Sequence, residues 1–205
     1  MKEIDRVNLH PIFDRYVVYN DHYDGEFEYP GDALGRDCMV AAFLPEDPGF
    51  ARLYKTDGKK NEDWFSFGAK VYAPISGKIS YLYINEVINT PGVLNPSKSS
   101  ALMIQTEDGT SVMLAHIQNP LVSLGDSVEE GQLLAYVGNN GYARNPHIHI
   151  GAFKGNVPLG IEFNPQKVAK VRNRVGEIYW LMGSALKNTK SEKNKNCTNS
   201  SKHFN

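Results

Sequence analysis

The sequence lacks what several large protein classes require. Its 205 residues contain only two cysteines, Cys38 and Cys197, far apart and outside any Cys-x-x-Cys pair, so a disulfide scaffold is excluded. Cys38 lies in an apolar run and reads as a buried free thiol. No stretch approaches the ~20 apolar residues of a membrane-spanning helix. Met1 to Arg6 leads into no apolar core, so no export signal is read in the chain as given. The formal net charge is -1, and a nucleic-acid binder would carry a concentrated basic surface. There is no His-Glu-x-x-His, which excludes the helix-borne zinc-peptidase site with a glutamate base. Ile150-Gly151-Ala152-Phe153 follows the one His-x-His, without the glutamate of a cupin site.

What is present is enough apolar residue for one sizeable domain with its own core, or one domain with tails. Strand signals dominate the middle of the chain. Gly77 to Ile84, Ala101 to Thr106, Ser111 to Ile117, Leu133 to Gly138 and His147 to Phe153 are β-rich runs with turn residues between them. Asp108-Gly109 between two of these runs is a hairpin signal. The expected fold is mainly β: an antiparallel β-sandwich or barrel-sandwich hybrid with long loops and one C-terminal helix. Two long connections, from about Pro45 to Phe67 and from Asn85 to Ser99, read as site walls or as plain surface insertions. The expected division is an extension over 1–20, a β domain over 21–165, a helix over 166–186 and a disordered tail over 187–205. The helix rests on apolar spacing at Val168, Val171, Val175, Ile178 and Met182; the tail rests on its Lys, Asn and Ser content.

Chemistry concentrates in few residues. Six histidines exist, and His147 and His149 form His-x-His on an expected strand. Alternation points both rings to one face and Ile148 to the other. Two imidazoles on one face share a metal, or divide ligation and proton transfer between them. His116 ends an apolar strand. Asp37 opens another, in Gly35-Arg36-Asp37-Cys38-Met39-Val40, where burial without a partner is costly. A salt bridge or a metal would each supply that partner.

Several blocks stand in a fixed order: Gly35-Arg36-Asp37; Val71 to Gly77; Met113-Leu114-Ala115-His116-Ile117; Val122 to Gln132; Gly138-Asn139-Asn140-Gly141; and His147-Ile148-His149. Together, from about Asp37 to Phe153, they resemble the lysostaphin-type peptidoglycan metalloendopeptidases. The resemblance implies a Zn2+ site with Asp37 and His149 as ligands and His116 and His147 as the non-ligand histidines beside the metal. It implies hydrolysis of peptide bonds in peptidoglycan peptides, hence an extracytoplasmic setting. The family usually places a histidine four residues before the aspartate, and Ala33 stands there instead. His22 is the candidate replacement; failing it, Asp24, Asp32 or no residue fills the position.

Two imidazoles and a carboxylate suit a tetrahedral zinc with one open position. A neutral histidine near its own pKa suits proton acceptance, and a donating one suits stabilisation of an oxyanion or the leaving amine. Rival readings are a biotinyl- or lipoyl-like carrier, a non-catalytic peptidase-like binding module, and a metal-dependent hydrolase of another amide or ester. The carrier would use Lys98, whose Pro96-Ser97-Lys98-Ser99 setting matches poorly. The expected partner is a peptide, with no nucleic acid and no membrane span. Nothing in the sequence speaks to oligomeric state.

Overall fold

The architecture is described from a computed structural model covering residues 4–23, 26–44 and 49–174. Alternating apolar residues build it. In β13 (Ile148–Lys154), Ile148, Ile150 and Ala152 are fully buried on one face. The same face takes Val112 and Leu114 of β9 (Thr110–Ala115), Leu102 and Ile104 of β8 (Ala101–Gln105), and Cys38 and Val40 of β3 (Arg36–Val40). Each fully buried Ile or Leu contributes roughly 1.5–3 kcal/mol. The opposite face of the same strands is left for the site.

β13 is the hub of a nine-stranded sheet. β9 runs antiparallel along one of its edges. Along the other edge lie β3, opposite residues 148–150, and β14 (Val157–Phe163), opposite residues 152–154. The sheet continues from β9 through β8 and β7 (Gly77–Tyr83) to β11 (Ser127–Val128). β2 (Val17–Asp21) pairs with β3, and β1 (Arg6–Leu9) pairs with β14. A second, three-stranded sheet contains β10 (Ile117–Gln118), β12 (Leu133–Val137) and β6 (Lys70–Tyr72). Its Val71, Ile117, Leu134 and Val137 join the core of the large sheet. β4 (Ala42–Phe43) and β5 (Ala51–Arg52) form a separate ribbon. The mainly β expectation therefore holds, with one exception to antiparallel pairing: β1 and β14 are parallel.

The segment set apart as an N-terminal extension contributes to the sheet and the core. β1 and all of β2 but Asp21 lie within it, and Leu9, Ile12 and Phe13 are among the most deeply buried side chains. Its strands are too short to show a period, so burial there follows from partners distant in sequence. The C-terminal helix, α1, is described over Pro165–Arg174 and opens under Asn164, whose Oδ1 accepts from the N–H groups of Gln166 and Lys167. The remainder of the expected helix and the tail lie outside the described residues. Among the described residues no helix is long and apolar enough to cross a membrane.

Candidate metal centre

Strand register brings the site together. His149 stands directly opposite Asp37 across the β13–β3 pair. Asn20 stands opposite Asp37 across the β3–β2 pair, and His22 follows two residues later on the same face. The N–H of His22 still donates to the carbonyl of Gly35, which fixes its position just past the strand end. His147 immediately precedes β13, two residues from His149. His116 immediately follows β9, whose Ala115 opposes His149. Simple alternation would turn His116 to the core face. Instead its backbone is left-handed, with φ 64°, an uncommon state for a residue other than glycine. Its N–H donates to Ser100 O and its carbonyl accepts from Gly138, so the kink is held on both sides. The kink brings its ring to 4.4 Å from that of His147, between centroids.

The five expected residues thus converge. One donor atom from each of His22, Asp37 and His149 lies within 4.8 Å of the others. His22 Nε2 is 3.6 Å from Asp37 Oδ2, His149 Nδ1 is 3.1 Å from Asp37 Oδ1, and His147 Nε2 is 3.6 Å from Asp37 Oδ1. Ala33 is buried, and His22, the candidate replacement, is the second imidazole grouped with Asp37 and His149. Asp24, a second candidate for that position, lies outside the described residues. Asp32, a third, contacts His149 Nε2 at 3.2 Å, on the side away from Asp37.

Each of the four rings has one nitrogen committed to a backbone carbonyl. Nδ1 faces Asp32 O in His22 at 3.0 Å, Asn140 O in His116 at 2.9 Å and Asn145 O in His147 at 2.7 Å. In His149 the roles reverse: Nε2 faces Gly31 O at 3.0 Å. A carbonyl only accepts, so the committed nitrogen carries the proton. In the neutral ring the other nitrogen then keeps its lone pair. That leaves Nε2 of His22 and Nδ1 of His149 facing the Asp37 carboxylate, free to give their lone pairs to a cation placed between them; without one, His149 Nδ1 takes a second proton and donates to Asp37 Oδ1. Backbone partners of this kind orient metal-binding imidazoles and fix their tautomer.

The electrostatics separate the two groups. Burial raises the Asp37 carboxyl, but the hydrogen bond from His149 and the nearby His147, His149 and His22 outweigh it, and its pKa falls to about 2. Burial and the neighbouring His147 lower His116 to about 3. Burial likewise lowers His147. His149 is pulled down by burial, but the Asp37 and Gly31 hydrogen bonds raise it overall. Near neutrality the site thus pairs an ionised carboxylate with two neutral imidazoles, His116 buried and His147 partly buried.

The surrounding loops are tied down more tightly than their composition suggested. In the loop Gly138 to Gly141, Asn139 and Asn140 are buried. Asn140 holds Ile117 O and accepts from Ser100 N, while its own carbonyl holds His116. Both long connections reach this loop. Asn89 Nδ2 donates to Gly141 O and Ala143 O, and Asn61 bridges Asn139 and Asn89 O. They pack on the loop whose Asn140 carbonyl holds His116. The bonds made by Asn61, Asn89, Asn140 and the Asn145 carbonyl are not legible in the sequence, where asparagine-rich turns are the only signal. Lys98, the carrier candidate, lies over the Tyr83 ring, 4.2 Å from its centroid.

The arrangement defines a β-sheet protein with an oxygen-and-imidazole donor set of metal-site type on one sheet face. Sequence supplies a likeness to a particular family: residues 62–161 match the model of peptidase family M23. The span contains His116, His147 and His149 and begins after His22 and Asp37. No curated protein matches the chain. Solved structures similar to it include a mutant catalytic domain of the prophage-encoded M23 protein EnpA from Enterococcus faecalis, at 18% identity and TM-score 0.46, covering 71% of this chain and 87% of that one. The SpoIIIAH–SpoIIQ complex matches at 18% identity and TM-score 0.46, covering 77% and 96%. The catalytic domain of lysostaphin from Staphylococcus simulans matches at 23% identity and TM-score 0.36, covering 57% and 92%.

Proposed function

We propose that this chain is a zinc-dependent endopeptidase acting on peptidoglycan peptides outside the cytoplasm. The observation that carries the reading is the tautomer pattern. Four histidines and one aspartate meet, and backbone carbonyls hold each ring so that its free nitrogen faces the shared centre or the neighbouring ring. The donor set fits zinc: two imidazole nitrogens and one ionised carboxylate leave a coordination position open. His22, Asp37 and His149 would hold the ion, which when bound supplies Lewis acidity for a carbonyl and lowers the pKa of water.

The rest of the chemistry belongs to His116 and His147. His116 is buried and His147 partly buried, both are neutral near pH 7, and each presents Nε2 with its lone pair because Nδ1 is committed to a carbonyl. Either is suited to accept the proton released when water attacks. Their proximity means that charging one disfavours charging the other, so a single proton serves the pair. After transfer, the charged imidazole is a donor to the departing amine. The peptidoglycan substrate and the extracytoplasmic setting come from the family resemblance.

The test is zinc content and cleavage measured together. Purified protein should hold one equivalent of zinc, and chelation should abolish hydrolysis of isolated peptidoglycan stem and cross-bridge peptides, with recovery on adding zinc back. Zinc-loaded, folded protein that binds such peptides without cutting them would replace this reading with a non-catalytic binding module.

A further inference from the structure

The turn Gly31–Gly35 touches both histidines of the donor set without supplying a ligand. Gly31 O accepts from His149 Nε2 at 3.0 Å, and the Asp32 carboxylate lies 3.2 Å from the same nitrogen. Asp32 O accepts from His22 Nδ1 at 3.0 Å. The turn is closed by its own bonds, with Asp32 N and Ala33 N both donating to Tyr29 O and Gly35 N to Asp32 O. Two adjacent residues therefore hold the outer nitrogens of two rings whose inner nitrogens face Asp37.

The turn reaches this position because the sheet has a gap beneath it. Gly151 follows His149 by two residues and so shares its face. A Cβ on Gly151 would lie 1.7 Å from Gly31 O, which no packing adjustment of side chains relieves. Gly35 is equally constrained, since a Cβ there would lie 2.6 Å from His149 Cε1. Where a side chain would otherwise rise from the strand, a carbonyl descends and takes the imidazole proton.

We infer that the Gly31–Gly35 turn is an orienting clamp for His22 and His149, seated on the sheet by Gly151, and that it is what allows a histidine at position 22 to complete a metal site that has Ala33. Gly31 and Asp32 are positioning residues: they act through the two rings, by fixing which nitrogen carries the proton and where the other points. The inference rests on the zinc reading above for its consequence, but its geometry stands on hydrogen bonds that exist without metal.

The experiment uses the full chain, 15N-labelled, with two readouts. Long-range proton–nitrogen spectra of the imidazoles report the tautomers in metal-free protein, and competition with a chromophoric chelator reports zinc affinity. In the wild type, at a pH above the raised His149 value, the remaining His149 proton should sit on Nε2, and His22 should be protonated at Nδ1. In Gly151→Ala the His149 pattern should move away from Nε2–H, and zinc should bind about 10–100-fold more weakly, the usual effect of losing an outer-shell partner. Asp32→Ala removes the carboxylate beside His149 but keeps both carbonyls, so it should weaken zinc by no more than the lower end of that range and leave the tautomers in place. A folded Gly151→Ala with unchanged His149 tautomer and unchanged zinc affinity overturns the clamp; if Gly151→Ala does not fold, wild-type spectra decide, and a neutral His149 protonated at Nδ1 or a His22 protonated at Nε2 overturns it. Wild-type protein that takes up no zinc defeats the zinc reading instead, and the tautomer comparison still decides the clamp.

Discussion

His147 and His149 are two residues apart on one strand, with Ile148 and Ile150 anchoring that strand in the core. His22 and Asp37 come from two other strands, and His22 lies beyond the end of its own. The downstream half of the site inherits its geometry from local alternation and from loops tied by asparagines. The upstream half depends on pairing register across β2, β3 and β13 and on a turn that reaches over the sheet. Rigid geometry comes readily where one strand supplies it and must be assembled where three elements do. The family match has the same asymmetry, since it includes the downstream histidines and begins after Asp37.

The largest expected effect separates the halves by role. His116→Ala or His147→Ala should lower kcat by about 10²–10⁴-fold, the range for a general acid or base, while leaving zinc content at one equivalent. Either variant retaining wild-type turnover sinks the proton-transfer assignment. The next effect tests the assembled half. His22→Ala should weaken zinc binding by more than the roughly 100-fold that accompanies loss of an outer partner. Competition titration against wild type reads this directly, and equal affinities would remove His22 from the ligand set.

The contrast also explains what the sequence disclosed. Alternation alone sends His147 and His149 to one face, and an aspartate opening the apolar run Cys38-Met39-Val40 demands a partner, so both were legible. His22 was legible only as a replacement for the histidine absent at Ala33. The φ of His116 was not, because strand patterning assigns its ring to the wrong face and the kink depends on Ser100 and Gly138. Leu9, Ile12 and Phe13 gave no periodic signal, since β1 is short and its partner β14 lies at the far end of the domain. Gly151 read as one more small residue. Its meaning exists only once Gly31 approaches it from another element.

A smaller effect probes how far the downstream half relies on its long loop. Asn89→Ala removes donors to Gly141 O and Ala143 O; Gly141 O keeps the N–H of Ala143, so the loss falls on the buried Ala143 carbonyl, at about 1–3 kcal/mol when unpaired. Asn89 Oδ1 is itself buried without a partner among the described residues, so its removal offsets part of that cost. Urea unfolding should therefore show a loss toward the low end of the range. Zinc affinity should stay at the wild-type value, because His22, Asp37 and His149 do not touch this loop. A fall in zinc affinity instead would mean that the two halves are mechanically coupled.

The last effect depends on pH and is read in metal-free protein. His116 has its pKa lowered from the ordinary 6.5 to about 3, and His147 is also lowered. Below pH 6.5 the unfolded chain takes up protons that the folded protein refuses, so stability falls as pH falls across that window. Asp37, lowered to about 2, adds nothing until pH drops below its ordinary 3.8. His149 is raised, so its contribution is fully present below pH 6.5 and is lost only as pH climbs through its folded value. Between pH 6.5 and 5 the slope therefore comes from the downstream pair, and His116 alone accounts for about 2 kcal/mol of it. Urea unfolding at several pH values should show that decline in wild type and a flatter one in His116→Asn, whose side chain does not titrate. Equal slopes would mean that His116 takes up its proton in the folded state, and would remove the electrostatic distinction between the two halves.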